Sequence, residues 1–307
     1  MFKSVFFGTS QFAVPSLRAL RDVTQIVAVV TQPDRPAGRG QKLQSTAIKI
    51  AAAELGIDAL RPESVREIVP QLRALDADLF VVASYGEILS QQILDLPRAG
   101  AFNVHPSLLP LYRGATPLQT QIRDRCTVTG VTIIAMDAGM DTGNILVREQ
   151  VPLGARETYG ELEARLAELG AQALVKAIDL AQRGELVPVA QTTLATPDEI
   201  KATLTRPLRS DDLRIDWARP AIEVDALVRS LSPQPSARGD IQGIGAKIIA
   251  THPLETSVEQ APGTPSRIPH GLAVACGKGA VAIDRILPAN RAAMSGEAFA
   301  ASLFART

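Results

Sequence analysis

The stretch Ala101-Phe102-Asn103-Val104-His105-Pro106 decides the fold of the first part of this chain. It begins as an apolar strand, and the proline prevents the strand from continuing. Side chains two apart on a strand point to the same side, so Asn103 and His105 are expected to face one cavity together. The stretch therefore predicts a buried strand with polar groups at its carboxyl end.

Further apolar, β-branched runs flank this stretch, and helical segments lie between several of them. Short, nearly continuous apolar runs are typical of parallel strands that are covered on both faces. We therefore predict an α/β fold with a Rossmann-like, mostly parallel sheet and helices on both faces. The predicted strands are 5–8, 26–31, 79–83, 101–104, 130–135 and 145–151, and the predicted helices are 15–21, 46–55, 64–75 and 157–183.

The pattern changes after residue 190. From Gln191 to Pro207 the chain is polar with little periodicity, which predicts a linker. A short helix at 222–231 follows, and then short strands separated by Gly and Pro, which together predict a small β-barrel. We predict a first domain at 1–190, a linker at 191–206 and a second domain at 207–307. The predicted strands of the second domain are 245–251, 266–268, 272–276 and 281–287.

Composition excludes several classes of protein. The 307 residues carry 32 basic and 32 acidic side chains, which argues against a general nucleic-acid coat protein. No apolar stretch approaches the roughly 20 residues of a membrane helix, and the N-terminus lacks a signal-peptide pattern. We therefore expect a cytoplasmic protein. Cys126 and Cys276 lie far apart and the three histidines form no ligand cluster, so we expect no metal.

A carboxylate follows the strand in the segment Met136-Asp137-Ala138-Gly139-Met140-Asp141-Thr142-Gly143. An amide, an imidazole and a carboxylate suit an acyl transfer. One group holds an oxyanion, one stabilises or moves a proton, and one orients the imidazole. The simpler interpretation of Asn103, His105 and Asp141 is a hydrogen-bonded cap at the end of a strand.

The segment from Asn103 to Pro110, together with Arg113-Gly114 and Asp141-Thr142-Gly143, resembles the folate-dependent formyltransferases. Members of that family carry Asn-x-His-Pro-Ser-Leu-Leu-Pro and a downstream Asp at this separation. The resemblance implies 10-formyltetrahydrofolate as the formyl donor and Asn103, His105 and Asp141 as the catalytic residues. The residues that it implies for folate binding are Ser107, Leu108, Leu109, Pro110, Tyr85 and Gly86.

The same resemblance implies a role for each catalytic residue. Asn103 would hydrogen-bond the formyl oxygen as that atom becomes an oxyanion. His105, as an imidazolium, would add positive charge beside the same oxygen. Asp141 would pair with His105 and, through water, help to take the proton from the attacking amine.

The segment from Thr31 to Lys42 indicates which molecule accepts the formyl group. It has a net positive charge, because Arg35, Arg39 and Lys42 outnumber Asp34. Its prolines and glycines predict an exposed loop, longer than the roughly 2–6 residues of a usual strand-to-helix connection. A solvated connection would explain it. It also resembles the loop with which the family members that act on methionyl initiator tRNA enter the acceptor arm. Arginine suits such a site because it pairs with phosphates and stacks on unpaired bases.

Those members also carry a C-terminal OB-like, tRNA-binding barrel, which the resemblance implies for 207–307. The implied activity is formylation of the methionyl α-amine of initiator tRNA, giving N-formylmethionyl-tRNA for translation initiation, and we expect a monomer. Three alternatives remain: formylation of an amino sugar nucleotide, hydrolysis of 10-formyltetrahydrofolate, and RNA binding on an inactive scaffold. Positions that depart from the family pattern are Leu111, Pro207 and Gln234.

Overall fold

A computed structural model describes residues 1–37, 42–254 and 260–305 of the chain. The chain forms two compact units. The first consists of Met1–Pro117, Val128–Pro152 and Glu163–Thr205, and the second of Leu118–Thr127, Leu153–Leu162 and Arg206–Thr307. The domain limits that the sequence indicates, with a linker at 191–206, stay a prediction.

The strands of the first unit are β1 (Lys3–Gly8), β2 (Gln25–Val30), β3 (Arg35–Ala37), β4 (Lys42–Gln44), β5 (Ala59–Leu60), β6 (Leu79–Ala83), β7 (Ala101–His105), β8 (Val128–Ala135) and β9 (Ile145–Pro152). Seven of these described strands form one sheet in the order β5-β2-β1-β6-β7-β8-β9. The strands from β5 to β7 pair in parallel, whereas β8 runs antiparallel to both β7 and β9.

The predicted mostly parallel α/β fold is confirmed, but the expectation of parallel strands at 130–135 and 145–151 is wrong. A parallel neighbour needs a crossover connection of a dozen or more residues. Here β9 follows β8 after a loop at 136–144, which is too short for such a crossover, so the two strands form an antiparallel pair.

The helices are α1 (Val14–Val23), α2 (Ala47–Glu54), α3 (Val69–Ala74), α4 (Gln91–Leu94), α5 (Pro117–Arg123), α6 (Tyr159–Arg183), α7 (Pro197–Ala202), α8 (Ala221–Ser230) and α9 (Gly296–Phe304). Local chemistry fixes several starts. The Thr46 side chain accepts a hydrogen bond from the Lys49 amide at the start of α2. Helix α7 lies in the predicted linker and begins with a capping box between Thr196 and Glu199. That sequence pattern was a usable helix signal.

The packing of the sheet determines which face carries the polar residues of β7. Val104 faces α6, where a Cβ on Gly170 would lie 2.7 Å from the Val104 side chain. Asn103 pairs in register with Val82, whose side chain belongs to the apolar cluster on the other face. Asn103 and His105 therefore project on the face opposite α6.

The strands of the second unit are β10 (Ala237–Ile241), β11 (Ile244–Leu254), β12 (Pro265–Ile268), β13 (Gly271–Ala275), β14 (Ala280–Pro288) and β15 (Met294–Ser295). They form an antiparallel sheet in the order β10-β11-β14-β13-β12, with β15 beside β14. Val228 of α8 and Phe299 of α9 belong to its core. The predicted small C-terminal β domain is confirmed. The elements of this unit that were not predicted from the sequence include β10, whose Arg-Gly-Asp segment lacks apolar alternation, and α9.

A buried ionic cluster ties three segments of the second unit together. Asp225 on α8 is almost completely buried, and its carboxylate pairs with Arg229 Nε at 2.8 Å and with an Arg156 guanidinium nitrogen at 2.9 Å. The Thr251 hydroxyl donates to the same carboxylate at 3.0 Å. Arg156 also donates to the Thr251 carbonyl. A buried carboxylate with this many partners is costly to remove, because its cations would lose their counterion.

We predict that Asp225→Asn lowers the free energy of unfolding by about 3 kcal/mol, since buried Arg229 loses its counterion. Glu223→Gln is the matched control, because Glu223 lies on the same helix and forms an ion pair with the largely exposed Arg219, which precedes that helix. Exposed pairs contribute about 0–1 kcal/mol. Urea unfolding of the full chain measures both variants, and equal losses would contradict the assignment.

Candidate active site

The end of β7 carries an imidazole between two oxygen atoms. His105 is only 4% exposed, and its Nδ1 lies 3.6 Å from Asp141 Oδ1. Its Nε2 lies 3.0 Å from the Tyr112 carbonyl oxygen. The Tyr112 carbonyl therefore lies within hydrogen-bond distance of Nε2, and the Asp141 carboxylate lies within ion-pair distance of Nδ1.

The loop at 136–144 brings Asp141 alongside β7. The Met136 amide donates to the Ala101 carbonyl at 2.8 Å, so the loop begins beside the start of β7. A Cβ on Gly143 would lie 1.7 Å from the Ala135 carbonyl oxygen, so the returning chain requires a glycine there. Asp141 has a φ of +55°, in the left-handed region. Such a conformation costs roughly 1–3 kcal/mol and persists where its surroundings hold it.

The two oxygens of Asp141 have different partners. Oδ2 accepts a hydrogen bond from the Gly114 amide at 2.8 Å. Oδ1 lies 3.4 Å from Asn103 Nδ2 and is also the atom that faces His105. One oxygen is therefore anchored by the backbone, while the other faces the amide and the imidazole. The three predicted catalytic side chains converge on one atom.

The predicted folate segment is mostly internal. Ser107 and Leu109 are completely buried. The Thr132 hydroxyl donates to the Ser107 carbonyl at 2.7 Å and accepts from the Leu109 amide at 3.1 Å. Pro110 is also buried, and Leu108 is the half-buried member. The segment is thus held rigidly by β8, and Leu108 is the side chain left accessible.

Tyr85 and Gly86 follow β6, the strand next to β7. Tyr85 is 2% exposed, and the Glu87 carboxylate is the charged group that acts on its hydroxyl. Burial raises the pKa of Tyr85, so the phenol keeps its proton and can donate a hydrogen bond. Gly86 has a φ of +89°, and a Cβ there would meet only the Gln32 side chain, at 4.0 Å.

The predicted cationic loop is a β-hairpin where the structure describes it. Strands β3 and β4 pair antiparallel, with Arg35 opposite Gln44 and Pro36 opposite Leu43. A proline is tolerated in such a two-stranded ribbon because each strand is an edge. Arg35 is exposed, whereas Arg39 and the Lys42 side chain lie outside the described residues.

Gln191 belongs to this site although its sequence context did not predict that role. Gln191, within the predicted linker, is 3% exposed, and its side-chain amide donates to the carbonyl oxygens of Asp141 and Gly143 at 2.8 and 2.7 Å. Its Oε1 accepts two bonds from Arg113, at 2.7 and 3.0 Å. Burial lowers the pKa of Arg113, although the nearby Asp141 and Asp137 carboxylates act in the opposite direction. The polar composition around Gln191 gave no signal for this role.

Neither a metal-ligand group nor a membrane span occurs in the described part of the chain. Over residues 1–37, 42–254 and 260–305, no three His, Cys, Asp or Glu side chains are grouped as metal ligands would be. Over the same residues, no helix is both long enough and apolar enough to cross a membrane.

Comparison with known proteins defines the class. The family described as formyl transferase matches residues 2–178, and the family described as formyl transferase, C-terminal domain, matches residues 207–303. Curated relatives match almost the whole chain. The chain therefore belongs to the formyltransferase family, among the methionyl-tRNA formyltransferases. The predicted family is confirmed.

The relatives that support this are close in length to the chain. The methionyl-tRNA formyltransferase of Stutzerimonas stutzeri is 44% identical over 92% of this chain and 88% of its own. That of Pseudomonas entomophila is 42% identical over 96% and 94%. The fold is also similar to an N-formyltransferase from Helicobacter canadensis solved with folinic acid and dTDP-3-aminofucose. That match has a TM-score of 0.66, 18% identity, and coverage of 94% of this chain and 99% of that one.

We predict that Gly114→Ala destabilises the chain because a Cβ at this position would lie 2.2 Å from the Thr205 carbonyl oxygen. Gly56→Ala is the matched control, since Gly56 also has a positive φ but no atom within 4 Å of the added carbon. We expect Gly114→Ala to lose about 1 kcal/mol more than Gly56→Ala in urea unfolding. Equal losses would show that the backbone at Thr205 yields without cost.

Proposed function

We propose that this chain transfers the formyl group of 10-formyltetrahydrofolate to the α-amine of methionyl initiator tRNA. The observation that carries the proposal is the convergence of Asn103 and His105 on Asp141 Oδ1. The amine nitrogen forms a bond to the formyl carbon, the bond from that carbon to the folate nitrogen breaks, and the folate nitrogen gains a proton. The products are N-formylmethionyl-tRNA and tetrahydrofolate.

The three side chains act on charges that develop during this transfer. The Asn103 amide donates to the formyl oxygen, and the His105 imidazolium lies beside it, so both stabilise the negative charge on that oxygen. A free α-amine has a pKa of roughly 7.7–8.0, so it must lose a proton to attack at neutral pH. Asp141 Oδ1 accepts that proton, directly or through water, because Oδ2 is held by the Gly114 amide.

We assign the folate site to the segments that follow the carboxyl ends of β6 and β7. A pterin ring carries hydrogen-bonding edges and flat faces. The open space at Gly86 suits such a ring, and the protonated Tyr85 hydroxyl is a hydrogen-bond donor in the same segment. Leu108 is the accessible side chain of the segment from Ser107 to Pro110. The backbone of that segment forms one wall of the site. Its Ser107 carbonyl and Leu109 amide are already hydrogen-bonded to Thr132.

Two features support an RNA acceptor. The hairpin of β3 and β4 presents Arg35, and we assign acceptor-arm contacts to Arg35, Arg39 and Lys42.

In the second unit, Arg238 on β10 is directly opposite Lys247 on β11, and Arg214 is bridged to Arg238. These three exposed cations, the basic stripe, have no ion-pair partner in the described part of the chain. Opposed like charges destabilise a sheet, so such a stripe favours an anionic ligand.

Transfer to initiator rather than elongator tRNA tests the proposal. The purified chain is incubated with 10-formyltetrahydrofolate and methionyl-charged initiator or elongator tRNA, and formylated methionine is quantified by mass spectrometry. We expect product from the initiator tRNA and little from the elongator. Asp141→Asn should lower kcat by roughly 100-fold or more, because the amide cannot accept the proton. Its binding of 5-formyltetrahydrofolate should remain near that of the wild type.

Other outcomes overturn the proposal in distinguishable ways. Formylation of a dTDP-linked amino sugar, with no tRNA product, identifies a sugar enzyme. Loss of the formyl group to water without an acceptor identifies a hydrolase. Binding of tRNA without any folate turnover identifies an inactive scaffold.

We predict that the double variant Arg238→Ala, Lys247→Ala raises the KM for tRNA and leaves the KM for folate unchanged. The slope of log affinity against log salt should become shallower by about 1 for each phosphate that the variant no longer neutralises. The control, Arg21→Ala with Arg66→Ala, removes two exposed charges from the first unit. If both pairs shift the tRNA KM equally, the basic stripe does not bind tRNA.

A further inference from the structure

We infer that Gln191 is a positioning residue that holds the Asp141 carboxylate in its reactive orientation. This inference rests on the proposed function, because it assigns Gln191 a role in the chemistry of Asp141. Gln191 belongs to a segment whose sequence indicated only a linker. Three observations support the inference: Gln191 is buried, its side-chain amide is fully hydrogen-bonded, and it contacts a strained backbone.

Gln191 uses its whole side-chain amide. Its two N–H groups reach the carbonyls of Asp141 and Gly143 at 2.8 and 2.7 Å. Its oxygen accepts both bonds from Arg113. A primary amide offers two donors and two acceptor positions, so this buried group is fully satisfied. A network that is fully satisfied in this way fixes a unique geometry.

The contacted backbone needs such support. Asp141 has a positive φ, and the chain passes Ala135 too closely for any side chain at Gly143. Gln191 donates hydrogen bonds to the carbonyls of Asp141 and Gly143, which lie on either side of residue 142. Holding both carbonyls fixes the peptide planes, and the planes determine where the Asp141 carboxylate points. Without the amide, the loop is free to relax toward ordinary backbone angles.

The same segment also supports the residues on the other side of Asp141. The Thr205 amide donates to the Arg113 carbonyl at 2.8 Å, and the Thr205 hydroxyl accepts from the Thr116 amide at 3.1 Å. These bonds hold the turn that contains Gly114, whose amide anchors Asp141 Oδ2. Gln191 thus acts on the Asp141 backbone while Thr205 acts on the donor to its carboxylate. Both ends of one segment orient a single carboxylate.

The decisive variant is Gln191→Glu. It keeps the size of the side chain and an acceptor for Arg113, but it replaces the donor with an oxygen that faces two carbonyls. We expect kcat for tRNA formylation to fall by roughly 30- to 100-fold, which is the effect of displacing a catalytic group by about 1 Å. The KM values for tRNA and folate should change by less than about threefold, since the binding surfaces are unaltered.

A matched control and a double variant separate positioning from simple damage. Gln182→Glu makes the same change at a glutamine that donates to the Val23 carbonyl at 3.1 Å, and it should keep wild-type kcat. In the Asp141→Asn background, Gln191→Glu should cause little further loss, because residues that act as a unit are non-additive. The readout is single-turnover formylation.

The possible results are distinct. Wild-type kcat in Gln191→Glu, or a full additive loss in the double variant, overturns the positioning role while the proposed function stands. A lowered unfolding midpoint accompanied by raised KM values for both substrates also overturns it, since that pattern indicates general structural damage. Absence of formyl transfer by the wild-type chain overturns the proposed function itself.

Discussion

The orientation of one carboxylate is the constraint on which the site depends. Asp141 Oδ2 is bound by the Gly114 amide, and this leaves Oδ1 facing Asn103 and His105. A carboxylate that was free to rotate would present either oxygen and would bring no fixed charge to the imidazole. The strained loop, the glycines of close backbone approach and the buried Gln191 amide all serve this single orientation.

The sheet supplies the fixed frame for that carboxylate. Strand β7 ends at a proline, and its neighbours β6 and β8 hold its polar residues in register. The antiparallel turn from β8 to β9 is essential, because a parallel crossover would carry residue 141 away from β7. The departure from an all-parallel sheet therefore has a direct consequence for the chemistry. The turn brings β9 back alongside β8.

Much of this arrangement is readable in the sequence. The apolar runs predicted six of the seven strands of the first sheet, all except the two-residue strand β5, and the spacing of Asn103 and His105 on one strand predicted a shared direction. The family resemblance added Asp141 as a third member, although no local pattern required it to approach the other two. Failures fell where local signals are weak or ambiguous. The direction of β9 relative to β8 depends on the length of the loop at 136–144, and β10 is a polar strand at the edge of its sheet that pairs with β11.

The sequence by itself determined the α/β fold, the small β domain, the family and the identity of the three polar groups. The fold and the β domain follow from periodicity and from residue types at short separations, where covalent geometry limits what the chain can do, whereas the family and the three polar groups follow from the resemblance of the motifs to the formyltransferases. Only the tertiary structure decided that Gln191 contacts the Asp141 loop from 50 residues away and that one carboxylate oxygen is anchored by a backbone amide while the other faces the imidazole. Hydrogen bonds between distant segments depend on how the whole chain packs. A polar residue in a segment without periodicity carries no local record of the partner that packing brings to it.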